Sequence, residues 1–163
     1  MIVVSDTTPI ISFLKINRLD LLEKSFGEVL IPNAVYEELT VDKRFIEEAK
    51  MVKNAPYIKS VSVSNPEAVR ILRMATGLDQ GESEAIVLTD ELKADVLLMD
   101  EAKGRAISRQ MGIAIMGTIG VLISAYEDEL ITAEEARLCI VNLQRSGRHI
   151  GKRNYQILLD KLQ

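Results

Sequence analysis

Two aspartates in this sequence stand directly after short, wholly apolar runs. Ile2-Val3-Val4-Ser5 leads into Asp6, and Val96-Leu97-Leu98-Met99 leads into Asp100. Runs of this kind read as strands buried on both faces, as in a parallel sheet. Each strand would deliver its acid to the carboxyl edge of the sheet, where open α/β folds bind ligands. Thr7, Thr8 and Pro9 suit the start of a helix, so Asp6 has a simpler reading as a helix cap. The recurrence of the pattern at Asp100 argues for more than a cap. Right-handed crossovers bring helix starts to the same edge, including that of Glu82, and Glu38 can reach it from its own helix. Acids in a first helical turn also complement the helix dipole, which is the plainer role for Glu82 and Glu84.

Four carboxylates in one crevice, Asp6, Glu38, Glu82 and Asp100, repel one another unless a cation joins them. Hard oxygen ligands without Cys or His point to Mg²⁺ or Mn²⁺ rather than zinc. Such an ion lowers the pKa of a bound water and offsets charge on a phosphoryl transition state. The chemistry this set implies is hydrolysis of a phosphodiester.

Strands alternating with helices must position those acids. After Pro9 the apolar spacing predicts two short helices broken near Asn17, then a strand at Glu28–Ile31 and a helix from Asn33 to Leu39. Adjacent Glu37 and Glu38 point about 100° apart, so one can face a crevice while the other faces solvent. Helical spacing continues from Asp42 to about Asn54. Ile58 to Val63 alternates as an edge or connecting strand, and Asn65-Pro66-Glu67 opens a helix to about Ala75. A loop at Thr76–Gly81 leads into a helix to about Leu92. The Val96–Met99 strand is followed by a helix, Glu101 to Met111, carrying Lys103, Arg105 and Arg109. A short strand at Ala114–Met116, a turn at Gly117-Thr118-Ile119-Gly120 and a helix at Val121–Tyr126 come next. A capping box at Thr132–Glu135 starts a helix to about Gln144, and Asn154–Leu162 forms the last one. This alternation predicts an α/β fold with a central, mostly parallel sheet covered by helices on both faces.

Composition narrows the function classes. The 163 residues suffice for one domain with a sizeable core. No apolar run approaches a membrane span, and no secretory signal is evident, so the expected location is the cytoplasm. A single cysteine, Cys139, excludes an intramolecular disulfide framework. The lone His149 leaves no partner for a His-based zinc site or a Cys–His catalytic triad. With 4% aromatics and no Trp, stacking platforms for single-stranded bases are not evident. The net charge of −4 is uneven: residues 137–163 carry +5 and residues 1–136 carry −9. An acidic body with a basic terminal section can bind a polyanion at one end. The basic section comprises Arg137, Arg145, Arg148, Lys152, Arg153 and Lys161.

Taken in order, Ile2–Pro9, Ile31-Pro32-Asn33-Ala34-Val35-Tyr36-Glu37-Glu38-Leu39, Gly81-Glu82 and Leu97–Asp100 resemble a PIN domain, the nuclease domain of VapC-type toxins and related RNA-processing enzymes. The resemblance spans about residues 1 to 125. It implies a three-layer α/β/α sandwich and a Mg²⁺- or Mn²⁺-dependent endoribonuclease acting on single-stranded RNA. It also implies frequent homodimers and, for a toxin, an antitoxin protein. The family's four acids fall on Asp6, Glu38 rather than Glu37, Glu82 rather than Glu84, and Asp100, with Asp6, Glu82 and Asp100 as metal ligands. The third acid is commonly Asp, and the usual Thr-x-Asp at the fourth site reads Leu98-Met99-Asp100. Glu84, Glu101 and Thr118 are therefore auxiliary candidates. Residues 132–163 read as a C-terminal helical extension of a single domain covering 1–163.

Other readings fit less well. A haloacid-dehalogenase-type phosphatase wants a second acid where Thr8 stands. A receiver domain wants an acidic pair where Ser5-Asp6 offers one acid, and a dinucleotide-binding turn wants glycines absent from Asp6–Pro9. The strongest rival is an RNA-binding or scaffolding protein on the same fold with little catalysis. Lys103, Arg105 and Arg109 are the candidate phosphate contacts, and Ile123, Leu138, Ile140 and Val141 suggest a homodimer face.

Overall fold

The computed structural model describes residues 1–147 and 152–162; Arg148, expected in the basic section, and His149 lie outside the described residues. Five strands form one parallel sheet: β1 (Val3–Ser5), β2 (Val29–Pro32), β3 (Ile58–Val61), β4 (Val96–Leu98) and β5 (Ile115–Met116). Their order is β3-β2-β1-β4-β5, which puts β1 at the centre. The two apolar strands are neighbours, with Val3, Val4 and Ser5 opposite Val96, Leu97 and Leu98. Both are buried on both faces, as their composition requires.

Side chains alternate across the sheet and build a core on each face. Val3, Val96 and Leu98 face one cluster, and Val4, Leu97 and Met99 face the other. The first cluster is completed by α1 (Thr7–Lys15), α2 (Asp20–Phe26), α8 (Thr118–Glu127), α9 (Ala133–Arg145) and α10 (Lys152–Lys161). The second is completed by α5 (Pro66–Thr76), α6 (Gln80–Leu92) and α7 (Ala102–Gln110). The remaining helices, α3 (Asn33–Val41) and α4 (Ile46–Lys53), follow β2. The protein is thus a three-layer α/β/α sandwich.

Three local features depart from the sequence expectation. The stretch after Asp42 is split: a 3₁₀ turn at Lys43–Phe45 precedes α4. Asp42 accepts from the Arg44 amide and also binds its guanidinium, and such local bonds compete with a continuous helix. The Gly117–Gly120 stretch is the first turn of α8 rather than a separate turn, with Gly117 as its cap. Helices α9 and α10 are not peripheral: Ala136, Cys139, Ile140, Leu143, Leu158 and Leu162 share the core with α1 and α2. Ile140, expected on a dimer face, is 1% exposed, whereas Leu138 on the opposite side of α9 is 58% exposed. No helix among the described residues is long and apolar enough to cross a membrane.

Candidate active site

Asp6 follows the last residue of the central strand, and its amide donates to the Leu98 carbonyl at 3.0 Å, which holds the ends of β1 and β4 together. It occupies the cap position of α1 in extended conformation, yet its carboxylate makes no capping hydrogen bond. The simple capping role is therefore not what this side chain performs. It is 3% exposed. Burial pushes its carboxyl pKa up from 3.8 to about 7; the Thr7 amide offsets part of this, while the charges of Glu82, Asp79 and Glu38 add to it. Burial first and neighbouring acids second thus make it reluctant to ionise.

Glu38 comes from α3 and Glu82 from α6. Both have pKa values raised, first by burial and then by other acids, with Asp79 acting on each. Gly81 makes the approach of α3 and α6 possible. A Cβ at that position would run into Glu38 Oε1, so only glycine leaves the carboxylate its place. Glu84 binds the two helices together: its carboxylate accepts from the Ala34 amide at 3.2 Å and from Gln80 Nε2 at 2.5 Å. Glu84 therefore positions the helix that carries Glu38. Glu101 stands at the cap position of α7 without a side-chain capping bond and is exposed; its charge is among those that raise Glu82.

Asp79 is the residue that sequence reasoning missed. It and Glu82 form a reciprocal capping box at the start of α6: Asp79 Oδ1 accepts the Glu82 amide at 2.8 Å, and Glu82 Oε2 accepts the Asp79 amide at 2.9 Å. The Asp-x-x-Glu spacing from Asp79 to Glu82 was the available signal. Thr7 was missed as well. Its buried hydroxyl lies beside Glu38, where it lowers that carboxyl's pKa, but it has no partner in hydrogen-bonding geometry.

Asp100 is held differently. Thr118 donates to it twice, from the amide at 2.7 Å and from the hydroxyl at 2.6 Å. This explains why α8 begins at Thr118. Asp6, Glu38, Glu82 and Asp79 form the electrostatically coupled group, while Asp100 is turned toward the start of α8. Among the described residues no three acids lie close enough to share one ion as they stand. The donor chemistry nonetheless fits a hard divalent cation: carboxylates with raised pKa values, a buried unpartnered hydroxyl, and no sulfur or imidazole. Mg²⁺ needs only one or two carboxylates, the rest of its shell being water and substrate oxygens.

The cations divide around α7. Residues two apart on a helix point about 200° apart. Lys103 reaches toward the loop before α6, its Nζ 3.0 Å from where a Gly77 Cβ would lie. Arg73 stands on that flank too, donating to Gln80 Oε1 at 2.7 Å. Arg105 turns the other way and donates from Nη1 to the Met99 carbonyl at 2.9 Å. Arg109 sits in the last turn of α7, about 12 Å along the axis from Glu101. It is thus far from the acids. The basic C-terminal section brackets the crevice: Gly147 lines a 260 Å³ groove with Glu38, and Asn154 lines a second pocket with Asp100. Exposed Arg145, Lys152 and Arg153 lie beside those two residues in sequence.

A family model described as a PIN domain matches residues 2–163. The chain belongs to the PIN-domain family, whose members are generally nucleases that use divalent metals. The match includes α9 and α10, in line with their place in the core. No curated protein matches the chain.

Proposed function

We propose that this protein is a Mg²⁺- or Mn²⁺-dependent endoribonuclease that hydrolyses phosphodiester bonds of single-stranded RNA. The observation that carries the reading is Asp6: a buried carboxyl at the end of the central strand, with a pKa raised to about 7 and three acids facing it. Such a group costs stability, and the Thr7 amide offsets only part of that cost. A divalent ion bound there would supply a water of lowered pKa and positive charge for the phosphoryl transition state.

In this reading Asp6, Glu82 and Asp100 would hold the ion, and Glu38 would complete the acidic wall. Asp79 orients Glu82 through the capping box, and Glu84 orients the Glu38 helix. Thr118 fixes the Asp100 carboxylate in one rotamer. The unpartnered Thr7 hydroxyl offers one more oxygen to a water or ligand at Glu38. Lys103 and Arg73 on one flank hold phosphates of the strand beside the cleaved bond, and Arg105 meets the strand on the other. We read residues 1–163 as one domain in the cytoplasm.

A second reading has one observation in its favour. The acids do not converge into a ready three-ligand cage, which suits an RNA-binding or scaffolding protein with little catalysis. A toxin role would add an antitoxin, and the groove beside Glu38, lined by exposed Phe45, is a surface such a partner would use. The deciding experiment incubates a 5′-labelled unstructured RNA with the protein in Mn²⁺, in Mg²⁺ and in EDTA, alongside Asp6→Asn. Cleavage with either metal, absent in EDTA and in the variant, supports the nuclease. Equal RNA binding by both proteins without cleavage in any metal supports the binder.

A further inference from the structure

Beside Asp100, on the side away from Lys103, lies a 380 Å³ pocket against the β5 edge of the sheet. Its size is at the small end of ligand pockets, which run roughly 300–1,000 Å³. Ile115, Ile119, Ile123 and Ile157 line it together with Asp100, Arg105 and Asn154. Branched apolar side chains beside hydrogen-bonding groups suit a ring that has apolar faces and a polar edge. Gly117 keeps room beside the polar groups. A Cβ there would lie 2.9 Å from both Arg105 Nη1 and Asp100 Oδ1.

Arg105 is the polar group best placed to select what enters. One nitrogen donates to the Met99 carbonyl, which anchors the guanidinium beside the pocket. Among the described residues it forms no ion pair, so its remaining N–H donors are unspoken for. Asn154 likewise makes no side-chain hydrogen bond among them. A splayed single-stranded base presents two faces to be covered and edges to be hydrogen-bonded. A guanidinium fork matches the paired acceptors O6 and N7 of guanine.

We infer that this pocket receives a guanine base from the nucleotide next to the cleaved phosphate, read by Arg105. The inference rests on the nuclease reading for its position, since Asp100 lines the pocket and follows β4, the strand paired with the one that carries Asp6. Its own test uses no phosphodiester. Guanosine, adenosine, cytidine and uridine are titrated in EDTA into the ¹⁵N-labelled full chain and followed by amide NMR. Guanosine is expected to move the signals of Gly117, Ile119 and Ile123 and to bind at least about fivefold tighter than the other three, the lower end for a bidentate pair.

Ile157→Trp, at a position that is 39% exposed and tolerant of bulk, fills the pocket and is expected to abolish those shifts. Arg105→Lys keeps the charge but not the fork and is expected to level guanosine with adenosine. Shifts elsewhere, equal affinity for all four nucleosides, or a preference for adenosine would overturn the inference. Selective guanosine binding by a protein that cleaves no RNA would sustain the pocket and remove the nuclease. Cleavage without guanosine binding would do the reverse.

Discussion

Asp6→Asn is expected to make the metal-free protein more stable at neutral pH while destroying its activity. The folded state holds the Asp6 carboxyl at a pKa of about 7, against 3.8 for the free side chain. Below about pH 4 both states are protonated and burial of the group costs little. Between 4 and 7 the unfolded chain releases a proton that the folded chain keeps, so stability falls as pH rises. Above 7 the cost is fully present. A gap of about three units at about 1.4 kcal/mol each gives at most about 4 kcal/mol.

Asn removes the charge at nearly constant volume. Its buried amide then needs acceptors, and an unmet one costs about 1–3 kcal/mol. The unpartnered Thr7 hydroxyl and the neighbouring Glu38 carboxylate are available for it. The net gain expected at pH 8 is about 1–3 kcal/mol, or roughly 2–12 °C in Tm for a chain of this size. The assay is thermal melting of both proteins in EDTA from pH 4.5 to 8.5. The two curves should converge at the acid end and separate above pH 7, with the variant higher. Adding Mn²⁺ should then raise the wild type alone, because only it regains a partner for the charge. Parallel melting curves at every pH, or a variant that melts lower throughout in EDTA, would sink the argument that Asp6 is held at a cost.

Three further outcomes test the parts around it. Thr118→Val removes the hydroxyl bond to Asp100 and leaves the amide bond; kcat should fall about tenfold to a hundredfold, as for loss of one charge-assisted bond, and Thr118→Ser should recover most of it. Gly81→Ala puts a methyl group against Glu38; calorimetry should show at least about tenfold weaker Mn²⁺ binding, a loss of about 1.4 kcal/mol, while circular dichroism keeps its helical signature. Lys103→Ala should flatten the salt dependence of single-stranded RNA binding by about 0.7 of a logarithmic unit, whereas Arg109→Ala should leave the slope unchanged. Equal slopes for the two variants would contradict their different placement on α7.

The local pattern of the chain determined a good deal. A short apolar run rich in β-branched residues and set between helical patterns reads as a strand buried on both faces, and an acid at its end then stands at the carboxyl edge. That made β1, β4, Asp6 and Asp100 legible, together with their pairing at the sheet centre. Helix starts with cap residues, such as Asn65 and Thr132, were legible for the same reason: the cap and its partner lie within four residues of each other. The tertiary structure decided what depends on distant segments meeting. Asp79 joins the acids because α6 packs beside β1 and α3, and Asp100 turns to Thr118, eighteen residues on. The α9 and α10 helices belong to the core because α9 packs on α1 and α8 and α10 packs on α8, segments far from them in sequence or adjacent only through a turn. The pKa of Asp6 was the least legible quantity of all. It is set by burial and by charges from the start of α6 and from α3, and no spacing along one strand encodes that sum.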